Sequence, residues 1–195
     1  MYIPNTIELD NYPFKLRENL EPKLLWVRSF AKIYNPKMAV DVLHNLKEEY
    51  PNATLCMVGP EKDGSLEETK KYSQNLGLDV QFPGRLSKKE WINLSENYDI
   101  FLNTTHFDNT PVSVMEAMAL GLPIISTNVG GIPFLLEDKK TAILVNDGDV
   151  KNMTEAVKLV LENSQFAKSL SQNSRLLASK FDWEEVKQYW MEILS

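Results

Sequence analysis

The chain has 195 residues, of which 43% are hydrophobic and 25% are charged, a composition typical of a soluble globular domain. A net charge of −6 argues against nucleic-acid binding, two histidines are too few for a histidine-based metal site, and one cysteine excludes an intrachain disulfide. No apolar run approaches the roughly 20 residues of a membrane span and the first residues show no signal-peptide pattern, so we expect a cytoplasmic protein without a transmembrane segment.

Apolar periodicity predicts short strands that alternate with helices of about ten to fifteen residues. The predicted strands cover residues 24–28, 53–59, 80–82, 98–102, 122–126 and 142–145. The predicted helices cover residues 36–50, 66–76, a segment capped by Ser87, a segment between Thr110 and Gly121, a short segment ending at Leu136, and residues 149–162, 167–181 and 183–194. This order indicates an α/β fold, a Rossmann-like three-layer sandwich with a mostly parallel sheet.

The chain divides into three parts. Residues 1–22 show no clear periodicity and carry three prolines, so we interpret them as an extended linker. Residues 23–180 contain the alternating elements and form the main domain. Residues 181–195 form a C-terminal helix whose aromatic residues we expect to pack back on this domain or on a missing N-terminal domain.

Several predicted strands end next to residues that suit a bound ligand. In a parallel sheet covered by helices, ligands lie beyond the carboxyl ends of the strands. Arg28, Gly59, Leu86, the loop containing Asp108, and Gly130 all fall at or just after such ends. The sequence therefore predicts that they meet at one edge of the sheet.

The stretch 103–131 concentrates residues that can carry chemistry. Thr110 can cap the helix that follows, and Pro111 suits its first position because proline lacks the N–H that would stay unpaired there. Glu116 lies in the middle of this helix, and Asp108 lies in the loop before it. The N–H groups of the first turn can bind an anion such as a diphosphate. Two carboxylates and an anion-binding helix terminus are therefore expected to converge.

Together these residues form a longer pattern, namely Asp108-x7-Glu116, Ala117-Met118-Ala119-x-Gly121-x-Pro123 and Gly130-Gly131. The pattern resembles the donor-binding signature of family-4 retaining glycosyltransferases, which have the GT-B fold. Asp108 stands where that family usually has Glu, and Asn109-Thr110-Pro111 replaces the usual Gly-Phe-Gly or Gly-Phe-Pro. The resemblance extends over nearly the whole chain. It implies the C-terminal half of a GT-B enzyme, with residues 23–180 as the nucleotide-sugar-binding domain.

The resemblance also implies a role for four candidate catalytic residues. Arg28 and Lys32 would bind the diphosphate, although Lys32 follows Arg28 by four residues where the family usually has five. Asp108 would face the hydroxyls of the donor sugar. Glu116 would accept hydrogen bonds from the ribose hydroxyls, because a carboxylate offers two oxygens to a vicinal diol.

A second set of residues would line the donor mainly through backbone groups. Leu86 would face the nucleobase, and Gly130 and Gly131 would allow close approach of the donor or of a facing domain. The residues expected along the sugar and phosphates are Asn109, Thr110, Pro111 and Val112.

The resulting hypothesis is transfer of a hexose from a UDP- or GDP-sugar to an acceptor hydroxyl, with retained configuration. The acceptor would be a glycan or a lipid-linked sugar, and no metal or further cofactor is expected. The opening Ile3-Pro4-Asn5-Thr6-Ile7 resembles the segment that leads into the second domain of GT-B enzymes. We therefore expect this chain to be half of an enzyme that lacks its N-terminal acceptor domain, does not catalyse alone, and in its full form lies in the cytoplasm or at the inner face of the membrane.

Two other functions stay open. A non-catalytic nucleotide-sugar binding module would bind UDP or GDP, but it would show no transfer even with a first domain supplied. A nucleotide-sugar epimerase of GT-B architecture would release free sugar, although the Glu-Ala-Met-Ala run at Glu116 argues against it. A dinucleotide-dependent dehydrogenase is disfavoured, because no Gly-x-Gly-x-x-Gly follows the first strand.

Overall fold

The structure is a computed structural model that describes residues 5–194. Its centre is a six-stranded sheet in the order β3-β2-β1-β4-β5-β6, and every neighbouring pair of strands is parallel. The strands are β1 (Lys23–Val27), β2 (Thr54–Val58), β3 (Val80–Gly84), β4 (Ile100–Asn103), β5 (Ile124–Thr127) and β6 (Ile143–Val145). This is the doubly wound order: the strands from β1 to β3 are added toward one edge of the sheet, and those from β4 to β6 are added toward the other. The order of strands therefore reverses between β1 and β4.

The strands form because their side chains are apolar on both faces of the sheet. Leu24 and Trp26 pack in the core on one face, while Leu25 between them packs in the core on the other. Each of these side chains is fully buried. A sheet buried on both faces needs continuous apolar runs rather than alternation with polar residues, and the sequence supplies such runs.

Helices cover both faces and complete the three layers. The helices are α1 (Pro36–Leu46), α2 (Ser65–Asn75), α3 (Lys88–Ser95), α4 (Val112–Ala119), α5 (Ile132–Leu135), α6 (Val150–Glu162), α7 (Ser164–Ala178) and α8 (Trp183–Leu194). Helices α1, α2 and α6 pack on one face, and α3, α4 and α5 pack on the other. Helix α7 contributes to both cores. The fold class predicted from the sequence is confirmed.

Element boundaries differ from the predicted ones where local capping decides them. The capping box at α3 is confirmed, because Ser87 and Glu90 bond each other's backbone N–H groups. Helix α1 ends at Leu46, four residues before its predicted end. Helix α7 begins at Ser164, three residues before its predicted start, because the side chain of Asn163 accepts a hydrogen bond from the N–H of Phe166.

The linker segment, of which residues 5–22 are described, is extended apart from one 3-10 turn, Leu9–Asn11, and it packs against the domain. Tyr12 is 1% exposed and Arg17 is 4% exposed. Ile7 pairs with Asp182 in a parallel bridge, so this segment lies beside the residues that precede α8. The remainder of the predicted linker, residues 1–4, lies outside the described residues.

Helix α8 packs on the domain near its start, where Val186 is fully buried. Trp183 and Trp190 are each 45% exposed, so these two aromatic rings are only partly covered. The side chains of Tyr189 and Leu194 lie outside the described part of the chain. Within residues 5–194, no helix combines the length and the apolarity needed to cross a membrane.

Candidate functional site

The candidate site begins at the point where the strand order reverses. Arg28 directly follows β1 and Asp108 lies in the loop after β4, and these two strands are neighbours. Their side chains form an ion pair between Arg28 Nη2 and Asp108 Oδ2, with 15% and 13% of the side chains exposed. The guanidinium also lies 4.2 Å from the ring centroid of Tyr34, a cation–π arrangement. The sheet topology therefore joins two sequence-predicted site residues that are 80 positions apart.

Arg28 also lines a cleft of about 260 Å³ at the carboxyl edge of the sheet. Two buried polar atoms at this cleft, Arg28 Nε and Ser113 Oγ, have no hydrogen-bond partner among the described residues. A buried polar atom without a partner costs roughly 1–3 kcal/mol, so both atoms favour a ligand that can bond them. The residues lining the cleft are Val27, Arg28, Ser29, Tyr34, Val58, Gly59, Pro60, Arg85, Leu86, Trp91 and Ser113.

Glu116 lies three residues after Ser113 on α4, and residues at this spacing share a helix face. Its exposure is only 5%, so it is not a solvated helix residue. Its Oε1 accepts a hydrogen bond from Tyr12 Oη at 2.7 Å and lies 2.7 Å from Lys88 Nζ. Tyr12 and Lys88 line a separate cavity of about 370 Å³. Glu116 therefore shares a helix face with Ser113, but it does not itself line the Arg28 cleft, and two partners of its own cover it.

The environment of Glu116 changes the acid–base properties of both partners. Burial, together with the hydrogen bond to Glu116, raises the pKa of Tyr12 to about 12, against the opposing effect of Lys88. Burial alone would lower the pKa of Lys88, but its bonds to Glu116 and Tyr12 outweigh that effect and raise it. At neutral pH the tyrosine is therefore a hydroxyl donor and the lysine is a cation.

The turn at Gly130-Gly131 packs directly against the loop that carries Asp108. Gly131 N donates to Asp108 O at 2.7 Å, and a Cβ on Gly131 would lie 1.9 Å from Asn109 O. A Cβ on Gly130, whose φ is +54°, would lie 2.3 Å from Asp108 O. Only glycine fits at either position, because the two backbones touch. The structure thus shows a close approach of these glycines to the Asp108 loop.

Two more cavities continue along the same edge. One of about 480 Å³ shares Tyr34 with the Arg28 cleft and is lined by Asn5, Ile33, Tyr34, Phe107, Asp108, Asn109 and Thr110. The next, of about 660 Å³, is lined by Phe107, Asn109, Thr110, Gly130, Gly131, Phe134, Leu135 and Phe181. Phe134 on its rim is 92% exposed. A chain of neighbouring cavities therefore runs from Arg28, past Asp108, to an aromatic surface.

Two expectations about the start of α4 need correction. Pro111, not Thr110, is the N-cap residue, and no side chain caps the helix. The helix begins one residue later than expected, so Thr110 lies outside it, where its carbonyl accepts a hydrogen bond from Asn5. Val112 is the first helical residue and is 38% exposed, on the outer side of an otherwise buried helix.

Lys32 lies apart from Arg28. It lines a different cleft of about 100 Å³ together with Lys37 and Glu68, and its backbone N–H donates to Asp63 Oδ2 at 3.0 Å. The second arginine at the Arg28 cleft is Arg85. The role of Lys32 in diphosphate binding stays a prediction that this placement does not favour.

Sequence reasoning missed Tyr12, Lys88 and the hydroxyl of Ser113. Tyr12 lay in a segment interpreted as a linker, and Lys88 followed a capping serine without a motif of its own. The spacing of Ser113 and Glu116, three residues apart in a helix, was the one sequence signal that could have paired the two polar side chains.

Asp147-Gly148-Asp149 has the spacing of an Asp-x-Asp metal motif. In the structure, however, Asp149 caps α6 through the N–H of Asn152, and Asp147 Oδ1 lies 2.7 Å from His106 Nδ1. Within the described part of the chain, no three Asp, Glu, His or Cys side chains converge as metal ligands would. The expected metal independence stays a prediction.

Comparison with known proteins identifies the family. Residues 10–177 match the family of glycosyl transferases group 1. The chain belongs to this family. This group 1 glycosyltransferase chain is 27% identical to spore coat protein SA of Bacillus subtilis over 179 residues, which make up 87% of the chain and 48% of that protein. It is 25% identical to glycogen synthase of Mycobacterium tuberculosis over 189 residues, or 94% of the chain and 45% of that protein. The chain thus spans just under half the length of these two relatives.

Solved structures share the fold. The Anabaena protein Alr3699/HepE in complex with UDP superposes with a TM-score of 0.86 at 20% identity, covering 98% of this chain and 56% of that one. The C-terminal domain of LpcC, a glycosyl transferase group 1 family protein of Francisella tularensis, gives a TM-score of 0.78 at 17% identity, covering 91% and 99%. At these identities the likeness shows the fold alone, which is that of the C-terminal half of a GT-B glycosyltransferase.

Proposed function

We propose that this group 1 glycosyltransferase chain is a donor-binding domain of the family-4 retaining type. It binds a UDP- or GDP-sugar and presents the hexose for transfer to an acceptor hydroxyl, with retained configuration. The observation that carries the proposal is the cleft where Arg28 Nε and Ser113 Oγ are buried without partners beside the start of α4. The complexes of Alr3699/HepE with UDP and with UDP-glucose support the choice of ligand.

Binding of the diphosphate follows from the chemistry of this cleft. Arg28 can donate from Nε to a phosphate oxygen while Nη2 keeps its ion pair with Asp108, because a guanidinium has five N–H donors. The first N–H groups of α4 and the hydroxyl of Ser113 add neutral donors on the same side of the cleft. Departure of the nucleoside diphosphate places negative charge on its terminal phosphate, which these donors stabilise without a metal.

The sugar would lie in the neighbouring 480 Å³ cavity. Asp108, Asn109 and Thr110 line it, and the ion pair with Arg28 holds the Asp108 carboxylate at the junction with the phosphate cleft. A carboxylate at this junction can accept hydrogen bonds from sugar hydroxyls. Because the chain spans just under half the length of the two relatives, we further propose that the site for an acceptor glycan or lipid-linked sugar, and therefore turnover, requires an acceptor-binding domain beyond these 195 residues.

Calorimetric titration of the full chain with UDP, GDP and their common sugars tests this proposal. We expect UDP or GDP to bind more tightly than about 1 mM, and Arg28→Ala to weaken that binding about 30-fold, since a hydrogen bond to a charged group is worth roughly 2 kcal/mol. Arg28→Lys should restore part of the affinity because it keeps the charge and loses the fork.

Lys70→Ala is the matched control for charge, since among the described residues Lys70 forms an ion pair with Glu67 alone, on α2, and lies outside the lining of the cleft. The proposal is wrong if neither nucleotide binds the wild-type chain below about 1 mM, or if Arg28→Ala and Lys70→Ala have equal effects.

A further inference from the structure

Glu116 is a buried carboxylate with an unusual pair of partners. Tyr12 comes from the linker segment, 104 residues earlier in the chain, and Lys88 comes from the first position of α3. Both contact the same oxygen, Oε1, at 2.7 Å. Tyr12 and Glu116 are 1% and 5% exposed, so the hydrogen bond between them is shielded from water. Lys88 Nζ also lies 5.7 Å from the ring centroid of Tyr12, which ties the three side chains into one cluster.

The number of acceptor positions on this carboxylate matches a vicinal diol. An ionised carboxylate offers about four lone-pair positions, two on each oxygen. Tyr12 and Lys88 account for two of them on Oε1. Among the described residues no donor bonds Oε2, so its two positions remain, which is the number of hydroxyls that a ribose carries on adjacent carbons. The cluster thus leaves the carboxylate with one oxygen fixed and the other available for a diol.

Fixing Oε1 has an energetic consequence. The terminal torsion of a glutamate is broad, so an unheld carboxylate rotates freely and must be ordered when a ligand binds. The cation of Lys88 also offsets the cost of burying the charge of Glu116. A carboxylate held in advance by two donors binds a diol without paying that ordering cost again.

The position of Glu116 agrees with this use. It lies three residues, about 4.5 Å along the helix axis, from Ser113 in the Arg28 cleft. Helix α3, whose first residue is Lys88, begins two residues after Leu86, which lines the same cleft. A nucleotide whose phosphates lie at Arg28 and Ser113 therefore has Glu116 next to it.

The family resemblance implies that Glu116 binds the 2′- and 3′-hydroxyls of the donor ribose; we propose that Tyr12 and Lys88 are the positioning residues that hold Glu116 Oε1 and leave Oε2 for that contact. This inference rests on the proposed donor-binding function and adds to it the residues that make the site selective for ribonucleotides over 2′-deoxyribonucleotides. It assigns a function to the linker segment, because Tyr12 belongs to that segment.

The test compares UDP with 2′-deoxy-UDP by calorimetry on the full chain, or GDP with 2′-deoxy-GDP if guanine binds better. We expect the wild-type chain to prefer the ribonucleotide about tenfold, because the deoxy analogue leaves a buried acceptor unpaired. Tyr12→Phe should reduce that preference to threefold or less and leave the affinity for the deoxy analogue unchanged. Lys88→Met should have the same effect, and Lys88→Arg should restore the preference because it keeps the cation.

A double-mutant cycle separates positioning from a general structural effect. Glu116→Gln should abolish the preference by itself, and Tyr12→Phe added to Glu116→Gln should cause no further change, because Tyr12 acts only through Glu116. The matched control is Tyr98→Phe, which removes the hydroxyl of another buried tyrosine, one that is bonded to Gln81 Oε1 at 3.0 Å. It should keep the wild-type preference.

Each result has a distinct meaning. A wild-type chain that binds neither UDP nor GDP overturns the proposed function, and this inference with it. A chain that binds the ribonucleotide but shows no preference over its deoxy analogue overturns the ribose assignment alone. A Tyr12→Phe chain that keeps the full preference overturns the role of Tyr12. So does a Tyr12→Phe change that weakens ribonucleotide binding as much in the Glu116→Gln background as in the wild type.

Discussion

At the scale of single residues, we expect the hydroxyl of Ser113 to contribute to ligand affinity and not to the stability of the free protein. Its hydroxyl is buried at the Arg28 cleft and has no partner among the described residues, so it contributes nothing to stability that its methylene group does not. A buried hydroxyl without a hydrogen-bond partner lowers the stability of the free protein until a ligand bonds it. Its favourable effect should therefore appear in ligand affinity and not in the stability of the free protein.

We accordingly expect Ser113→Ala to weaken UDP binding about tenfold, or roughly 1.4 kcal/mol, with an unchanged or slightly higher melting temperature. Calorimetry and thermal unfolding measure the two quantities. The contrasting variant is Ser95→Ala, because the buried Ser95 hydroxyl donates to Ile92 O at 2.6 Å, and its loss should lower stability without changing affinity. Equal UDP affinities for Ser113→Ala and the wild type would contradict the assignment.

At the scale of secondary-structure elements, the glycine turn before α5 positions the loop before α4. Gly131 N bonds Asp108 O, and there is no space for a Cβ between Gly131 and Asn109 O. The loop that carries Asp108 therefore has its position fixed by a turn that follows a different strand, β5. Any side chain at Gly131 must push the two segments apart.

Gly131→Ala isolates this steric effect, because Gly131 has φ −86°, which alanine adopts without strain. We expect a loss of stability of about 1–3 kcal/mol, as for overpacking, and a larger loss of UDP-sugar affinity than of UDP affinity, since the displaced loop lines the proposed sugar cavity. Urea unfolding and calorimetry measure both. Gly148→Ala is the control, because it has φ +70° and open space around a Cβ. The Gly148→Ala variant should lose stability through backbone strain and keep the wild-type ratio of UDP-sugar affinity to UDP affinity. If Gly131→Ala also keeps that ratio, Gly131 does not position the Asp108 loop for the sugar.

At the scale of the whole molecule, residues 5–22 are integrated into the domain through Arg17. Its guanidinium donates to the carbonyls of Tyr98 at 2.8 Å, Ser95 at 3.0 Å and Leu120 at 3.2 Å, and Nε lies 3.5 Å from Asp99 Oδ1. Ser95 is the last residue of α3, Tyr98 and Asp99 follow that helix, and Leu120 follows α4. One side chain thus joins the linker segment to the ends of two helices.

Arg17→Ala should therefore lower the free energy of unfolding by roughly 3 kcal/mol or more, because it leaves buried carbonyls and Asp99 without their donor. Urea unfolding in a single cooperative transition is the measurement. Lys15→Ala is the control in the same segment, since Lys15 is exposed and its side chain donates to the carbonyl of Glu96, while its backbone bond to Leu120 O survives the substitution. It should change stability by no more than about 0.5 kcal/mol. Similar stabilities for the two variants would show that the segment is not part of the cooperative unit.

The sequence predicted the parts of the site that depend on local chain order. The sequence predicts Arg28, Gly59 and Leu86 at one edge because each lies at or just after the end of a predicted strand, and all three line one cleft. Lys32 lines a different cleft and its N–H donates to Asp63 at the start of the 3-10 turn Lys32–Tyr34, so its role in diphosphate binding stays a prediction. The sequence predicted an extended linker over residues 1–22 but did not indicate that Tyr12 and Arg17 are buried, because a tyrosine and an arginine between prolines carry no periodic signal.

By itself, the sequence determined the alternation of strands and helices, the parallel sheet and the edge at which the candidate ligand-binding residues lie. These depend on apolar periodicity and on residues close in the chain, which set the local conformation and the buried faces. Only the tertiary structure decided that Arg28 pairs with Asp108 and that Tyr12 and Lys88 both hold Glu116. Such contacts depend on which strands become neighbours and how the helices pack over them, and no local pattern encodes that arrangement.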